Sequence, residues 1–303
     1  MKVFVAGATG VVGTRTVTLL LAAGHQVTGL ARSAEKADLL ARQGARAVRA
    51  SLFDPDALGR AVAGHDAVVN LATHIPVGAA AIRARAWRED DKIRTEGSRV
   101  LVDAALRQEA GRLVQEAVTF VYPGRGDEWI TEETVPEPNP RSQAATMAAT
   151  AQAARFTAGG GSGVLLRFGQ FYAPDRASAG VLTRARAGKP VVLGKPGGWL
   201  SPLHPDDAAA AVVAALGCAP GIYNVAEPPV RRSEWAAAIG AAAGTGPARF
   251  YPALLQKLAG PRAEPLTRSQ RVDSAKFAAA AGWVPLSRST QGGWSGHPVN
   301  AEA

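Results

Sequence analysis

The sequence predicts an α/β fold, a doubly wound parallel sheet followed by a smaller C-terminal lobe. Three observations carry this. Short β-branched runs alternate with longer segments of helical periodicity as far as residue 168. A glycine-rich turn, GATGVVG, separates the first such run from the first such segment. After about residue 175 the alternation gives way to short strands and helices, as expected of a smaller second lobe.

The elements follow in order. Residues 2–6 are short and β-branched, which predicts a buried strand. Residues 11–23 carry apolar side chains at helical spacing and stop at Gly24. QVTGLA at 26–31 predicts a second strand, 45–50 a third, and DAVVNL within 66–71 a fourth. Residues 88–109 predict a long helix with Ile93, Leu101, Val102, Ala105 and Leu106 on one face. A fifth strand is expected at 112–120, an Ala-rich helix at 144–157 and a sixth strand, GVLLRF, at 163–168. Residues 123–142, rich in Gly, Pro, Glu and Asp, predict an irregular loop, and the tail after Gly292 reads as frayed.

The glycine turn points to a ligand. Gly7, Gly10 and Gly13 let the chain turn tightly and let its backbone approach another group. A helix N-terminus carries unpaired N–H groups and a partial positive charge, which suits a pyrophosphate. Gly7, Thr9, Gly10, Val11, Val12 and Gly13 are therefore expected to hold a dinucleotide in a Rossmann-type unit, although the spacing is G-x-x-G-x-x-G. The second predicted strand ends in Arg32 and Ser33, with Lys36 soon after, and no Asp or Glu lies between Lys2 and Arg32. An acidic residue there would hold two ribose hydroxyls, whereas an arginine pairs with a 2′-phosphate, so NADP(H) is the expected cofactor. Asp54 is positioned to accept from the adenine amino group, or to cap the helix that begins at Pro55. Leu71, Ala72 and Thr73 follow the fourth strand and are expected along the cofactor's ribose and phosphates.

Composition narrows the classes. The chain has 303 residues with 47% hydrophobic content, enough for a large core. No apolar run is long enough to span a bilayer, and glycines interrupt the apolar start, against a signal peptide. The lone cysteine, Cys218, allows no internal disulfide and fits a reducing cytoplasm. No metal-ligand cluster is visible. The net charge of +9 comes from dispersed, mostly arginine residues, not from basic clusters with interleaved aromatics, which argues against nucleic acid and for an anionic cofactor. A small-molecule substrate and a monomer or homodimer are expected.

GATGVVG, VYP after the fifth strand, LLRFGQFYAPD, SPLHPDDAAAAVVAAL and GIYNVAEPP, in that order, resemble the short-chain dehydrogenase/reductase superfamily, in its extended or atypical NAD-dependent epimerase/dehydratase branch. The resemblance runs through nearly the whole chain. It implies a Rossmann-type cofactor domain, residues 1–175, interleaved with a substrate-binding lobe, residues 176–303. It also implies a Ser or Thr after the fifth strand and a Tyr-x-x-x-Lys pair on the next helix, the Tyr acting as general acid or base. This chain departs there. No tyrosine lies between Tyr122 and Tyr172, and no lysine between Lys92 and Lys189. By spacing, Ala144 and Ala148 fall at the pair's places and Val118 at the Ser/Thr place, with Thr119 adjacent.

Three readings follow: a reductase whose proton comes from another group or water, an NADP-binding protein with a non-redox reaction or a sensor role, and a tailoring enzyme whose substrate supplies its own acid or base. Tyr122, with Thr119 beside it, is the expected replacement acid. Trp129, Phe171, Tyr172, Trp199 and His204 are the expected substrate contacts, since the loops that carry them belong at the carboxyl ends of the strands. The opposing reading of the tyrosines is packing with one hydrogen bond, and of His204 a structural role before Pro205.

Overall fold

A computed structural model describes residues 1–76, 83–172, 176–261 and 263–295. Seven strands form the main sheet: β1 (Lys2–Ala6), β2 (Gln26–Ala31), β3 (Arg46–Arg49), β4 (Ala67–Asn70), β5 (Arg112–Val118), β6 (Ser162–Phe168) and β7 (Gly221–Val225). Their spatial order is β7-β6-β5-β4-β1-β2-β3, and every neighbouring pair is parallel. The order reverses between β1 and β4, the place where open sheets of this kind leave a crevice at their carboxyl ends.

Alternation along β1 shows why both faces are covered. Val3 and Val5 enter one apolar core with Val17 and Leu20, while Phe4 and Ala6 enter the other with Leu101 and Phe156. A strand buried on both faces has no polar side chain to spare, and β1 reads as an unbroken apolar run after Lys2. Each large side chain fully buried this way contributes about 1.5–3 kcal/mol of transfer free energy.

The flanking helices are α1 (Val11–Ala22), α2 (Ala34–Arg42), α3 (Pro55–Val62), α4, α5 (Ala144–Ala158), α6 (Arg176–Arg186), α7 (Pro205–Ala215) and α8 (Arg232–Ala243). Helix α4 runs Arg88–Lys92 and Ser98–Arg107 through a π-helical turn, Ile93–Gly97. That turn is not foreseeable from apolar periodicity, which continues across it. Such a widened turn re-aims side chains and is frequent at functional sites.

Strand β5 ends at Val118 and not at residue 120, because Thr119–Val121 tightens into a 3₁₀ turn. Strand β7 is not foreseen as a strand; it pairs with β6 and completes the main sheet from beyond residue 175. The loop at 123–142 is largely irregular, with a two-residue strand, Trp129–Ile130, against Arg271–Val272. Gly293–Ser295 is a 3₁₀ turn with Trp294 buried, so fraying does not begin at Gly292, and the rest of the tail lies outside the described residues. No helix among the described residues is long and apolar enough to cross a membrane.

Candidate active site

The glycine loop leaves β1 with Gly7 at φ +79°, and a Cβ there would overlap the Leu71 carbonyl. A Cβ on Gly13 would overlap the Gly7 carbonyl, so these two glycines allow α1 to sit against β1 and β4. Gly10 differs. Its N–H donates to the Gly7 carbonyl at 2.9 Å, and a Cβ there would lie 3.2 Å from that oxygen, tight but not an overlap. Gly10 is the N-cap of α1, makes no side-chain cap, and no acidic residue lies in the first turn. The first-turn N–H groups, at Val11 and Val12 among others, thus meet no competing side-chain anion. The donor set and the absence of Cβ atoms fit a pyrophosphate.

Three polar groups gather beside this loop. Ser33 caps α2 by accepting from the Lys36 N–H at 3.3 Å. The Lys36 ammonium donates to the Thr9 hydroxyl at 3.1 Å, tying the end of β2 to the glycine turn. Arg32 is well exposed and lies 3.8 Å from Glu89, an ion pair weak enough to be exchanged for a stronger one. Two cations and a hydroxyl here suit a 2′-phosphate. Asp54 caps α3, one carboxylate oxygen accepting from the Asp56 and Ala57 N–H groups at 3.1 and 3.0 Å. After β4, buried Asn70 accepts from the Ala72 N–H at 3.2 Å and donates to Gln115 at 2.9 Å, fixing Leu71 and Ala72 against Gly7. Thr73 continues the same loop.

Beside this cradle lies a cavity of about 620 Å³. Its walls come from the loop after β4 (Ile75, Pro76), from α4 (Asp90, Asp91, Arg94), from the end of β5 (Val118, Phe120), from the start of α5 (Ser142, Gln143, Thr146) and from the helix Ala253–Leu258 and the segment after it. The π turn brings buried Arg94 between two buried carboxylates, 2.9 Å from Asp90 and 2.6 Å from Glu116. The second Asp90 oxygen accepts from the His74 N–H at 2.7 Å, so this triad also holds the loop after β4. Burial works to strip the Arg94 charge, but Glu116 and Asp90 outweigh it and hold the guanidinium protonated. Burial pushes the Glu116 carboxyl upward against the pull of Arg94.

The expected catalytic and substrate residues do not gather here. Tyr122 is fully buried, its hydroxyl donating to Asn224 at 2.9 Å and accepting from Arg167 at 2.7 Å. Burial pushes its phenol further up, away from acid work at neutral pH. Thr119 is buried as well. Its chain neighbours Val118 and Phe120 line the cavity, and Thr119 does not. Likewise Ala144 and Ala148 are not cavity residues, whereas Ser142, Gln143 and Thr146 are.

Tyr172 is buried in an aromatic cluster with His204, Trp235 and Trp294. His204 is the N-cap of α7, its Nδ1 accepting from the Asp206 N–H at 3.3 Å, the structural role weighed for it. Phe171 stands outside the cavity lining, its ring 5.7 Å from that of Phe168. Trp129 and Trp199 sandwich Arg271, whose guanidinium lies 3.9 and 4.7 Å from their rings. Arg231 covers Trp199 in turn at 3.9 Å, and Asp127 accepts from the Trp199 indole N–H. The two tryptophans thus fasten surface segments together and do not enter the cavity.

The sequence reading missed Asp90, Arg94 and Glu116. One signal was available: Gln115 and Glu116 sit in the middle of a strand expected to be buried, and a buried carboxylate demands a cationic partner.

The family model for the NAD dependent epimerase/dehydratase family matches residues 3–226. The chain is 32% identical to a Streptomyces sp. protein named 3-diazoavenalumate denitrifying reductase, over 97% of this chain and 99% of that one. Among solved structures, the UDP-glucose 4-epimerase of Thermus thermophilus, complexed with NAD, is similar at 25% identity and a TM-score of 0.76, covering 96% of each chain. The dTDP-glucose 4,6-dehydratase DesIV of Streptomyces venezuelae shares the fold at 20% identity and a TM-score of 0.76, over 95% of this chain and 92% of that one.

Proposed function

The chain belongs to the NAD-dependent epimerase/dehydratase family, and we propose that within it the protein is an NADP(H)-dependent reductase of a small organic molecule that works without the Tyr–Lys pair. One observation carries the reading. A glycine cradle suited to a dinucleotide opens beside a 620 Å³ cavity whose β5 and α5 wall, Val118, Phe120, Ser142, Gln143 and Thr146, bears no group that titrates near neutral pH. Gly7, Gly10, Gly13 and the first turn of α1 would hold the pyrophosphate, and Arg32, Ser33 and Lys36 the 2′-phosphate.

A nicotinamide held in this cradle would supply hydride chemistry: reduction of a carbonyl to an alcohol with a proton added, or replacement of dinitrogen on an aryl diazonium carbon with no proton needed. The second outcome matches the printed name of the Streptomyces relative and accounts for a β5 and α5 wall without a titratable side chain. In the first, water or a hydroxyl of the substrate provides the proton. The protein's own groups orient and desolvate. Asn70 and the Asp90–Arg94 pair fix the loop after β4 between cradle and cavity. We place this chemistry in the cytoplasm, where the buried thiol of Cys218 stays reduced.

The test uses the purified protein with NADPH deuterated at nicotinamide C4, offered a diazo-phenolic acid and the matching aldehyde. Deuterium transferred to product carbon, with dinitrogen released from the diazo compound, is the expected result. NADPH binding without turnover of either would favour the sensor reading, and turnover with no net loss of NADPH a non-redox reaction.

A further inference from the structure

We propose that the 620 Å³ cavity takes the apolar, ring-bearing body of a small organic molecule and shuts out nucleoside diphosphate sugars. The inference rests on reading this cavity as the substrate site, and it concerns what the walls can recognise. A diphosphate is held by arginine forks, lysines or unused backbone N–H groups. Arg94 is the basic side chain among the described lining residues, its Nε held by Asp90 at 2.9 Å and its Nη1 by Glu116 at 2.6 Å, with Asp91 a further carboxylate in the same wall. A phosphate drawn to Arg94 would compete with the two buried carboxylates that already neutralise it and would be repelled by them.

The amide side chains are committed too. Gln143 accepts from the Asn139 N–H at 2.7 Å and donates to the Phe120 carbonyl at 2.8 Å. Gln256 accepts from the Gly194 N–H at 2.8 Å and donates to the Tyr251 carbonyl at 2.7 Å. With these polar heads turned to the protein, the cavity offers a ligand chiefly Trp87, Phe120, Leu193, Tyr251, Leu255 and Leu266. A volume of about 620 Å³ falls within the roughly 300–1,000 Å³ of drug-sized ligand sites. Leu255 and Leu258 line the cavity yet remain 52% and 73% exposed, so apolar surface stands at its mouth for a ligand to cover.

The experiment binds two probes to the full-length protein, with and without NADPH. One is Prodan, a neutral naphthyl ketone whose emission shifts to the blue in an apolar site. The other is UDP-glucose, followed by calorimetry. We expect saturable blue-shifted Prodan emission and no heat from UDP-glucose at millimolar concentration. Leu255→Arg, at the mouth, should weaken Prodan about ten-fold or more by setting a charge against the apolar site. Leu258→Arg, at a more exposed position, provides the same test should the first variant fold poorly. UDP-glucose binding more tightly than Prodan overturns the proposal. So does Prodan binding that is absent, or that both variants leave unchanged. Titration of the same samples with NADPH reports on the cofactor cradle separately, so failure of the reductase reading is distinguishable from failure of this one.

Discussion

The Arg167 guanidinium donates to the Tyr122 phenol oxygen at 2.7 Å and lies 4.8 Å from the centre of the same ring. Asn224 of β7 accepts the phenol proton at 2.9 Å, so the three side chains join β6, β7 and the turn after β5. Tyr122→Phe should therefore act on stability and not on chemistry. It leaves buried Arg167 and Asn224 each short of a partner, a loss of about 1–3 kcal/mol in denaturant unfolding. Turnover per folded molecule in the proposed reaction should be unchanged. A ten-fold slower hydride step at unchanged stability would return Tyr122 to the role of acid.

Arg32 and Lys36 should set the cofactor preference. Neither cation is committed to a buried partner; Lys36 donates to Thr9 in the glycine turn, and Arg32 follows directly on the end of β2. Arg32→Ala, alone or with Lys36→Ala, should cost about 1–3 kcal/mol of NADPH affinity, the size of a charge-assisted contact. NADH affinity should move little. Equal affinity of the unaltered protein for the two cofactors would end the assignment.

The three glycines should separate into two kinds. Valine at Gly7 or Gly13 meets backbone oxygen directly, so unfolding should occur at lower denaturant whether or not NADPH is present. At Gly10 a methyl group meets the Gly7 oxygen at 3.2 Å, and that neighbour needs to give by only a few tenths of an ångström. Gly10→Ala should fold with a near-normal circular dichroism spectrum and lose NADPH affinity, since its Cβ enters the space of the pyrophosphate. A Gly10→Ala protein that binds NADPH normally would reduce the motif to a turn.

The legibility of this fold followed from local rules. Strands buried on both faces announce themselves as unbroken apolar runs, and the glycine cradle is contiguous in sequence, so both were readable. The cavity was not, because its walls come from residues 75 to 266, which meet only through packing. Aromatic residues drew attention to Trp129, Trp199 and Tyr172, yet each found partners elsewhere: Arg271 for the tryptophans, His204 and Trp294 for the tyrosine. The missing Tyr and Lys were legible, as was the helix start at Ala144, whereas which of its residues face the cavity in their stead depends on how that helix packs.

Glu227 should impose a pH dependence on stability. Burial raises its carboxyl from 4.5 to about 7, and contact with the Tyr172 hydroxyl only partly opposes this. The folded protein thus holds this proton more tightly than the unfolded chain. The stabilisation is complete below the unfolded value, falls as pH rises from about 4.5 to about 7, and is absent above. Glu227→Gln keeps an oxygen for the Ser289 N–H, now bonded at 2.8 Å, and removes the titration. Unfolding midpoints of the variant should be flatter across this window and higher than those of the unaltered protein above it. Parallel curves would place the titration elsewhere.

The last expectation concerns the proton. The wall formed by Val118, Phe120, Ser142, Gln143 and Thr146 has no side chain that changes charge near neutrality. For a substrate that loses dinitrogen, the hydride step needs no proton at all. Its single-turnover rate should then be level between about pH 6 and 8, since a positioned acid is what normally bends such a profile. Deuterium at nicotinamide C4 should slow the step, and deuterated solvent should leave it unchanged. Thr146→Val, which keeps the volume near constant and deletes the hydroxyl, should leave the profile level. A bell-shaped profile or a solvent isotope effect would mean that the protein supplies a proton after all. Tyr251 and Asp91, the titratable side chains that line the cavity apart from the Asp90–Arg94 pair, would then be the first to replace.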